Sequence, residues 1–322
     1  MKTIFCLNPY EDIPRRYFEK GSSVSLGNFD GCHLGHQEIL YKTIKAADYR
    51  KIPSVIFTFY PHPRDLFTPH NKTKKIFSLD QKASFFEKLG VNFLIIQKFN
   101  HEFCKLTHEN FYEKILKDTL QAKSITIGSN FKFGNERKGT SCWLRKKSSQ
   151  DNIQLEALKL SAKGENLISS SSIRNLIDKG YVKEAQKILG HSFSIEGTII
   201  HGKGMGKAFG FPTANFGNIQ QILPKPGVYV GFIKKNKKKS LAVINVGFKP
   251  TIENKKTSIS VEAHAIENTS EFEEAYGKSY SLSFHERLRD EFKFPSTENL
   301  IKQIEQDVST AKKLFLEKRL ED

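Results

Sequence analysis

Apolar and polar positions follow two different rhythms along the chain. In the first half, short continuous apolar runs are separated by stretches with helical spacing. The runs are SVSLGNF (Ser23 to Phe29), SVIFTF (Ser54 to Phe59), NFLII (Asn92 to Ile96) and SITIG (Ser124 to Gly128). Continuous runs suit strands buried on both faces of a parallel sheet. Between them Leu40, Ile44 and Ala47 repeat at helical intervals, and LDQKASFFEKLG closes on a glycine suited to a helix C-cap. MKTIFCLNPYEDIPRR opens the chain and reads as a further strand, since no long apolar region or cleavage site marks it as a signal peptide. The alternation predicts a doubly wound, Rossmann-like α/β domain.

Beyond about residue 190 the rhythm changes. SFSIEGTIIHG, PGVYVGFIKK, KSLAVINVG, TSISVEAHAI and SYSLSFHERLRD are strand-like and are separated by Gly, Pro, Asn and Lys rather than by helices. This predicts an antiparallel β-barrel. KKNKKK, Lys234 to Lys239, reads as a hairpin tip. The stripe Ile301, Ile304, Val308, Ala311 and Phe315 predicts a closing α-helix packed on the barrel, capped by Ser296 or Thr297. Two short helical pieces ending at Gly190 mark the junction, so the expected domains are 1–186 and 187–322.

Composition narrows the class. A chain of 322 residues can bury two cores, and no apolar run approaches a membrane span. The four cysteines form no CxxC pair, which argues against a zinc site or disulfide framework and for the reducing cytoplasm. A net charge of +16 suits nucleic acid or small anionic substrates such as ATP. With no nucleic-acid-binding module in the sequence, the second is preferred.

The chemistry-bearing residues all follow strands. NFDGCHLGH follows the first, YPHPR the second, FNHEF the third and GSNFKFG the fourth, which predicts one site at the carboxyl edge of the sheet. His33 and His36 sit where a strand turns into a helix. As metal ligands they would need further partners, the nearest being Cys32 and Asp30. The free N–H groups of a helix start, two imidazoles one turn apart, and the close approach allowed by Gly27, Gly31 and Gly35 favour a phosphate instead. A serine run before Arg174 offers a second set of phosphate donors. In the second half, Gly202, Gly204, Gly206 and Gly210 form a lysine-bearing Gly-rich loop. Thr213 and Asn215, two apart on an extended chain, offer hard oxygen donors suited to Mg²⁺.

GNFDGCHLGHQ resembles the (H/T)xGH signature of the nucleotidyltransferase superfamily, in the form carried by bacterial bifunctional riboflavin kinase/FAD synthetases. The resemblance implies that His33 and His36 contact the triphosphate of ATP, with His36 stabilising charge as AMP passes to FMN. It also implies that Gly27, Phe29, Asp30 and Gly35 complete the phosphate site. ISSSSIR resembles the family's ISSTxIR motif, with Ser171 for threonine, and implies that Ser169, Ser170, Ser171 and Arg174 close over the nucleotide phosphates. IGSNFKFG resembles G-x-(D/N)-F-x-F-G and assigns Asn130 to the nucleotide, with Phe131 or Phe133 as packing. FYPHPRDLF resembles the F-x-PHP turn, which places Pro61 and Pro63 near the flavin and His62 in a structural role.

HGKGMGKAFGFPTANF resembles the riboflavin kinase signature. It implies that Gly202, Gly204, Gly206, Lys207 and Gly210 bind ATP, while Thr213 and Asn215 hold Mg²⁺. PKPGVYVG, INVGFKPT, VEAHAIE, YGK and LRDEFKFPSTENLIKQIEQD follow in family order. Glu262 would be the general base for the ribityl 5′-hydroxyl, with Arg289 and Phe292 at the flavin or nucleotide edge. Lys207 and Lys249 stand where arginine is common, and Cys32 where valine is common. The implied function is riboflavin to FMN and FMN to FAD, with riboflavin, FMN and ATP as partners and no nucleic acid or membrane. The alternatives are retention of one activity only, or another nucleotidyltransferase, which the C-terminal motifs oppose.

Overall fold

The computed structural model describes residues 1–8, 11–70, 72–159, 168–202, 204–235, 238–250, 257–267 and 275–317. The chain forms two compact units, Met1–Thr73 with Leu79–Ser169, and Lys74–Ser78 with Ser170–Asp322.

In the first unit, strands β1 (Lys2–Cys6), β2 (Ser22–Leu26), β3 (Ser54–Tyr60), β4 (Phe93–Lys98) and β5 (Ala122–Gly128) are joined by β8 (Gln154–Leu158). Between the last two, β6 (Lys132–Phe133) and β7 (Gly139–Thr140) pair as a separate hairpin. The six sheet strands are parallel, in the order β1-β4-β3-β2-β5-β8. Every residue of β2 is buried, as a strand covered on both faces requires. Helix α1 (Leu34–Arg50) covers the sheet with Ile39, Leu40, Thr43 and Ala47. It is followed by α2 (Pro63–Phe67) and α3 (Leu79–Lys88). Next come α4 (His101–Cys104), α5 (His108–Asn110), which runs into a π-helical stretch Phe111–Thr119, and α6 (Ser141–Gln150).

From β2 the chain moves outward through β3 to β4, then returns to place β5 on the other flank of β2. That reversal is a topological switch point, where open α/β sheets bind ligands. The edge strand β8 escaped the sequence pattern because its residues are only half-buried and form no apolar run.

The second unit begins, beside Lys74–Ser78, with α7 (Ser170–Asp178) and α8 (Val182–Leu189). Its barrel strands are β9 (Phe193–Ile200), β10 (Ala214–Gly217), β11 (Gly227–Lys235), β12 (Lys238–Pro250), β13 (Thr257–Ala265) and β14 (Ser279–Arg289). They close antiparallel in the order β10-β13-β12-β11-β14-β9. A one-turn helix α9 (Met205–Ala208) interrupts the Gly-rich loop, and α10 (Thr297–Leu316) closes the chain with Ser296 as its N-cap. Ala311 and Leu314 of α10 pack on Val228, Phe232, Leu241 and Val243, the expected helix-on-barrel arrangement. Lys235 and Lys238 face each other at the tip of the β11–β12 hairpin, as the lysine cluster predicted.

The packing division between the two units falls at 169/170. Ile173, Ile177, Val182, Ala185 and Leu189 share one core with Phe193, Tyr229 and Phe284, so both junction helices belong by packing to the barrel unit. Gly190 ends α8 in the left-handed conformation, as a C-cap glycine should. Among the described residues no helix is long and apolar enough to cross a membrane.

Candidate active sites

Leaving β2, the chain makes a tight turn in which Phe29, Gly31 and Cys32 all have positive φ, at 48°, 75° and 41°. For the two non-glycine residues this costs about 1–3 kcal/mol each. The Phe29 carbonyl accepts from the Cys32 backbone N–H at 3.3 Å, and Gln37 Nε2 donates to the Cys32 carbonyl at 2.8 Å. His33 is the N-cap of α1, its Nδ1 accepting from the His36 backbone N–H at 3.3 Å. The two imidazoles stack with centroids 3.6 Å apart. His33 is 1 % exposed, and Nδ1 of His36 is buried with no hydrogen-bond partner among the described residues. Burial first, then His33 and Lys82, hold the His36 imidazole well below the usual histidine range. The pair is therefore close together, at a helix start, at the switch point of the sheet.

Phe29 was expected among the phosphate contacts. Its ring is instead 1 % exposed and lies beneath the site, edge-on to His36 at 5.3 Å and to Phe86 at 5.9 Å. Gly27 is required by that ring, since an added Cβ would stand 2.9 Å from it. Asp30 and Gly35 are buried at the turn and the first turn of α1. Cys32 is fully buried, and burial pushes its thiol up, so it is a packing residue. Among the described residues no group of three or more His, Cys, Asp or Glu side chains is placed to hold a metal.

A cavity of about 580 Å³ opens beside the turn. Loops following β2, β3, β4 and β5 all contribute, through Asn28, Pro63, Phe99 and Asn130. Phe131 and Phe133, expected as packing, line it together with Phe59, Phe103 and Phe111. Pro63 lines it and Pro61 does not. His62 caps α2 by accepting the Arg64 backbone N–H at 3.2 Å, the structural role expected of it. A flat aromatic ligand suits such a lining.

Ser169 falls at the end of the first unit, and Ser170, Ser171 and Arg174 in the second, on α7. Arg174 Nε donates to the Lys74 carbonyl at 2.8 Å, within that second unit.

In the barrel unit a cavity of about 260 Å³ is lined by Gly202, Gly204, Lys207, Thr213, Asn215 and Tyr276. Gly206 and Gly210 shape the loop without lining it. An added Cβ on Gly206 would collide with the Phe211 carbonyl, and Gly210 has φ +83°. The His264 ring donates from Nδ1 to the Pro212 carbonyl at 2.9 Å and fixes the loop before Thr213. Tyr276 stacks on His201 at 3.8 Å, an aromatic platform that the bare YGK triplet did not disclose. Glu262, half-buried, is paired in register with Asn215 on β10 and with Asn245 on β12. Directly paired residues share a face, so the expected base lies between two carboxamides. Asn245 was missed because it stands inside a strand-like run.

Arg289 is ion-paired within the barrel unit. Its Nη2 donates to Asp307 at 2.8 Å and its Nε to both Asp307 oxygens at 3.1 Å, while its guanidinium lies 4.8 Å over Phe292. Asp307 is 4 % exposed and also accepts from Gln303, so Arg289 anchors α10 to β14. The Lys249 side chain lies outside the described residues.

Residues 16–172 match the family described as FAD synthetase, and residues 189–315 match riboflavin kinase. A bifunctional riboflavin kinase/FMN adenylyltransferase of Haemophilus influenzae is 33% identical over 297 residues, covering 92% of this chain and 95% of that one. One from Bacillus subtilis is 32% identical over 322 residues, covering 98% of each. The crystal structure of a protein described as a macrolide-efflux protein, from Streptococcus pneumoniae, superposes with a TM-score of 0.86 at 28% identity, over 97% of this chain and 99% of that one.

Proposed function

The chain belongs to the family of bifunctional riboflavin kinase/FMN adenylyltransferases, and we propose how its own residues divide the two reactions. In the domain assignment we propose, adenylyl transfer belongs to 1–186 and phosphoryl transfer to 187–322, with α7 and α8 packed on the barrel while the serine run serves the nucleotide.

In adenylyl transfer an FMN phosphate oxygen bonds to the α-phosphorus of ATP as the bond to pyrophosphate breaks. The protein's task is alignment and charge stabilisation. His33, His36 and the N-terminal amides of α1 receive the triphosphate, while Ser169, Ser170, Ser171 and Arg174 are assigned to nucleotide phosphate by their motif alone. The aromatic cavity takes the isoalloxazine ring, and Asn28 and Asn130 supply polar contacts there. The observation supporting this division is the stacked histidine pair at the switch point, His33 buried and His36 half-buried, beside a cavity walled by phenylalanines.

In phosphoryl transfer the ribityl 5′-hydroxyl gives its proton to Glu262 as its oxygen bonds to the γ-phosphorus and ADP leaves. Thr213 and Asn215 bring a hydroxyl and a carboxamide to the cavity that Lys207 also lines. Hard oxygen donors and a phosphate-binding loop fit Mg²⁺, which when bound would neutralise phosphate charge. Lys207 adds a cation to the same phosphates, and Asn215 and Asn245 orient the carboxylate between them. We assign the enzyme to the cytoplasm.

Riboflavin, ATP and Mg²⁺ are incubated with the full chain, and the flavins are separated over time. FMN that rises and then gives way to FAD is the expected course; FMN that accumulates unconverted would remove adenylyl transfer from the histidine site.

A further inference from the structure

The aromatic cavity of the first unit has a charged rim. Besides its phenylalanines the lining holds Arg64 from α2, and Lys132, Glu136 and Arg137 from the β6–β7 hairpin, all four exposed. Glu136 is paired with Lys138, which stands outside the lining, at 2.7 Å. Asp65, beside Arg64 on α2, is also outside the lining and accepts the Thr73 backbone N–H at 2.8 Å. Among the described residues no carboxylate pairs with Arg64, Lys132 or Arg137. The apolar cavity is therefore lined by three cations to which the described residues supply no counter-ion.

The hairpin keeps its two cations in a fixed place. Glu136 and Arg137 are consecutive left-handed residues, with φ 53° and 59°, a conformation unfavourable outside glycine. Packing holds it. An added Cβ on Gly134 would stand 2.5 Å from the His108 backbone nitrogen, and one on Gly139 2.8 Å from the His108 Cβ, so both ends of the turn lie tight against α5. The Asn135 backbone N–H also donates to the Leu106 carbonyl at 2.7 Å. Such strain persists where surrounding contacts over-determine it, and it concentrates at ligand sites.

We propose that Arg64, Lys132 and Arg137 select the anionic flavin, giving the cavity its preference for FMN over an uncharged flavin. They are specificity-determining residues of adenylyl transfer. The proposal rests on the assignment of this cavity to the isoalloxazine ring. Phenylalanine walls bind that ring by area and stacking whether or not the ribityl chain is phosphorylated. Only FMN has the phosphate oxygen that reacts, and a chain that also phosphorylates riboflavin meets both flavins in one solution. The two differ in charge, and the rim carries the complement. A concave site of one sign between low-dielectric walls focuses its field and raises the local concentration of the opposite charge. In the sequence these cations are three among the many of a chain with net charge +16, and nothing local sets them apart.

The triple variant Arg64→Gln, Lys132→Gln, Arg137→Asn removes the charges, and asparagine accepts the left-handed conformation at 137. In the full chain, FAD formation gives kcat and the KM values for FMN and ATP. Lumiflavin, an uncharged isoalloxazine without the ribityl chain, serves as competitor. Trp143, the single tryptophan of the sequence, lies 6.0 Å from Phe133 of the hairpin, so its emission reports folding there. Should the triple variant misfold, the three single variants carry the test, each with a smaller rise in KM. At low salt the triple variant should raise KM for FMN at least about tenfold, with kcat little changed. Inhibition by lumiflavin and KM for ATP should stay within about twofold. Added salt should raise KM for FMN in the wild-type chain and hardly in the variant, because exposed charges are screened. Arg64→Lys with Arg137→Lys should keep the low KM. An unchanged KM for FMN in a folded variant would overturn the proposal. So would an equal weakening of lumiflavin, which would make these side chains part of the wall, or an equal rise in KM for ATP, which would assign the charge to the triphosphate. If lumiflavin does not compete with FMN in the wild-type chain, the cavity assignment itself fails, whatever the cations do.

Discussion

Asn215 on β10 and Glu262 on β13 are directly paired across the barrel wall, and Asn245 on β12 is paired with Glu262 from the other side. Two carboxamides flank the carboxylate in register, a placement that suits the general base we propose. Glu262→Gln should lower riboflavin phosphorylation by about 10²–10⁴-fold, the usual worth of a general base. Added FMN should still become FAD. Product analysis with each flavin in turn checks this, and loss of both activities together would mean misfolding rather than a missing base.

Asn245 offers a graded test of the same row. Asn245→Ala removes one flanking carboxamide and leaves the carboxylate, so phosphorylation should fall by about tenfold, less than for Glu262→Gln. Equal losses in the two variants would show that Asn245 does more than orient its neighbour.

His36 should separate the activities in the opposite sense. In the assignment we propose, His36→Ala removes an imidazole from an anion site, which is worth about 10²–10³-fold in turnover. Riboflavin should then be converted to FMN, and the reaction should stop there. Chromatography of the flavins reads the outcome directly.

The contrast between His36 and Lys82 explains what the sequence could disclose. The juxtaposition of His33 and His36 at a helix start was legible because a contiguous strand–turn–helix segment carries them. The barrel was legible for a similar reason, since each hairpin leaves its own alternation. Lys82 acts on Asn28 from 54 positions away, through a fold that no local pattern encodes. Phe131 read as packing because a phenylalanine in a cavity wall and one in a core look alike until the cavity is seen. Arg289 read equally as a ligand contact or an ion pair, because the sequence does not bring it beside Asp307, which meets it from a separate helix. The serine run straddles the division at 169/170, because the apolar face of Ile173 and Ile177 packs α7 into the second unit, a contact no local motif shows.

The aromatic cavity makes a prediction about substrate rather than chemistry. Phe131→Ala removes one wall of the 580 Å³ space and leaves the histidines in place. An aromatic contact of about 0.5–1.5 kcal/mol corresponds to a rise in KM for FMN of up to about tenfold, with kcat little changed. A fall in kcat at constant KM would place Phe131 in the reaction geometry instead.

Cysteine reactivity and pH bear on the packing of the first unit. Cys6 and Cys32 are fully buried, whereas Cys142 is exposed. Burial, aided by Asp12, pushes the Cys6 thiol up from 9.0 to about 12. A raised folded value means that the unfolded chain loses its proton first, so this contribution is intact below pH 9 and declines as pH rises toward 12. His36 acts at the other end. Its lowered value means that the unfolded chain takes up a proton first, so stability declines as pH falls below 6.5. Native-state thiol labelling should modify Cys142 rapidly and spare Cys6 and Cys32 until the chain unfolds. Denaturant midpoints across this pH range test the two limbs.

Arg289 and Asp307 predict an effect on stability where the sequence suggested one on binding. Three bonds join them, and the carboxylate is nearly excluded from solvent. Arg289→Ala leaves that carboxylate buried with Gln303 as a remaining donor, a loss of about 3–5 kcal/mol for a broken buried pair. At about 2–4 °C per kcal/mol for a unit of this size, the barrel's melting temperature should fall by about 10 °C. Replacing both partners, Arg289→Met with Asp307→Leu, should recover much of the loss, because no charge is then stranded. Thermal unfolding of the single and double variants decides the matter together with KM for riboflavin. An unchanged melting temperature with a raised KM would return Arg289 to the flavin edge, whereas a lowered melting temperature with KM unchanged at permissive temperature confirms it as the anchor of α10.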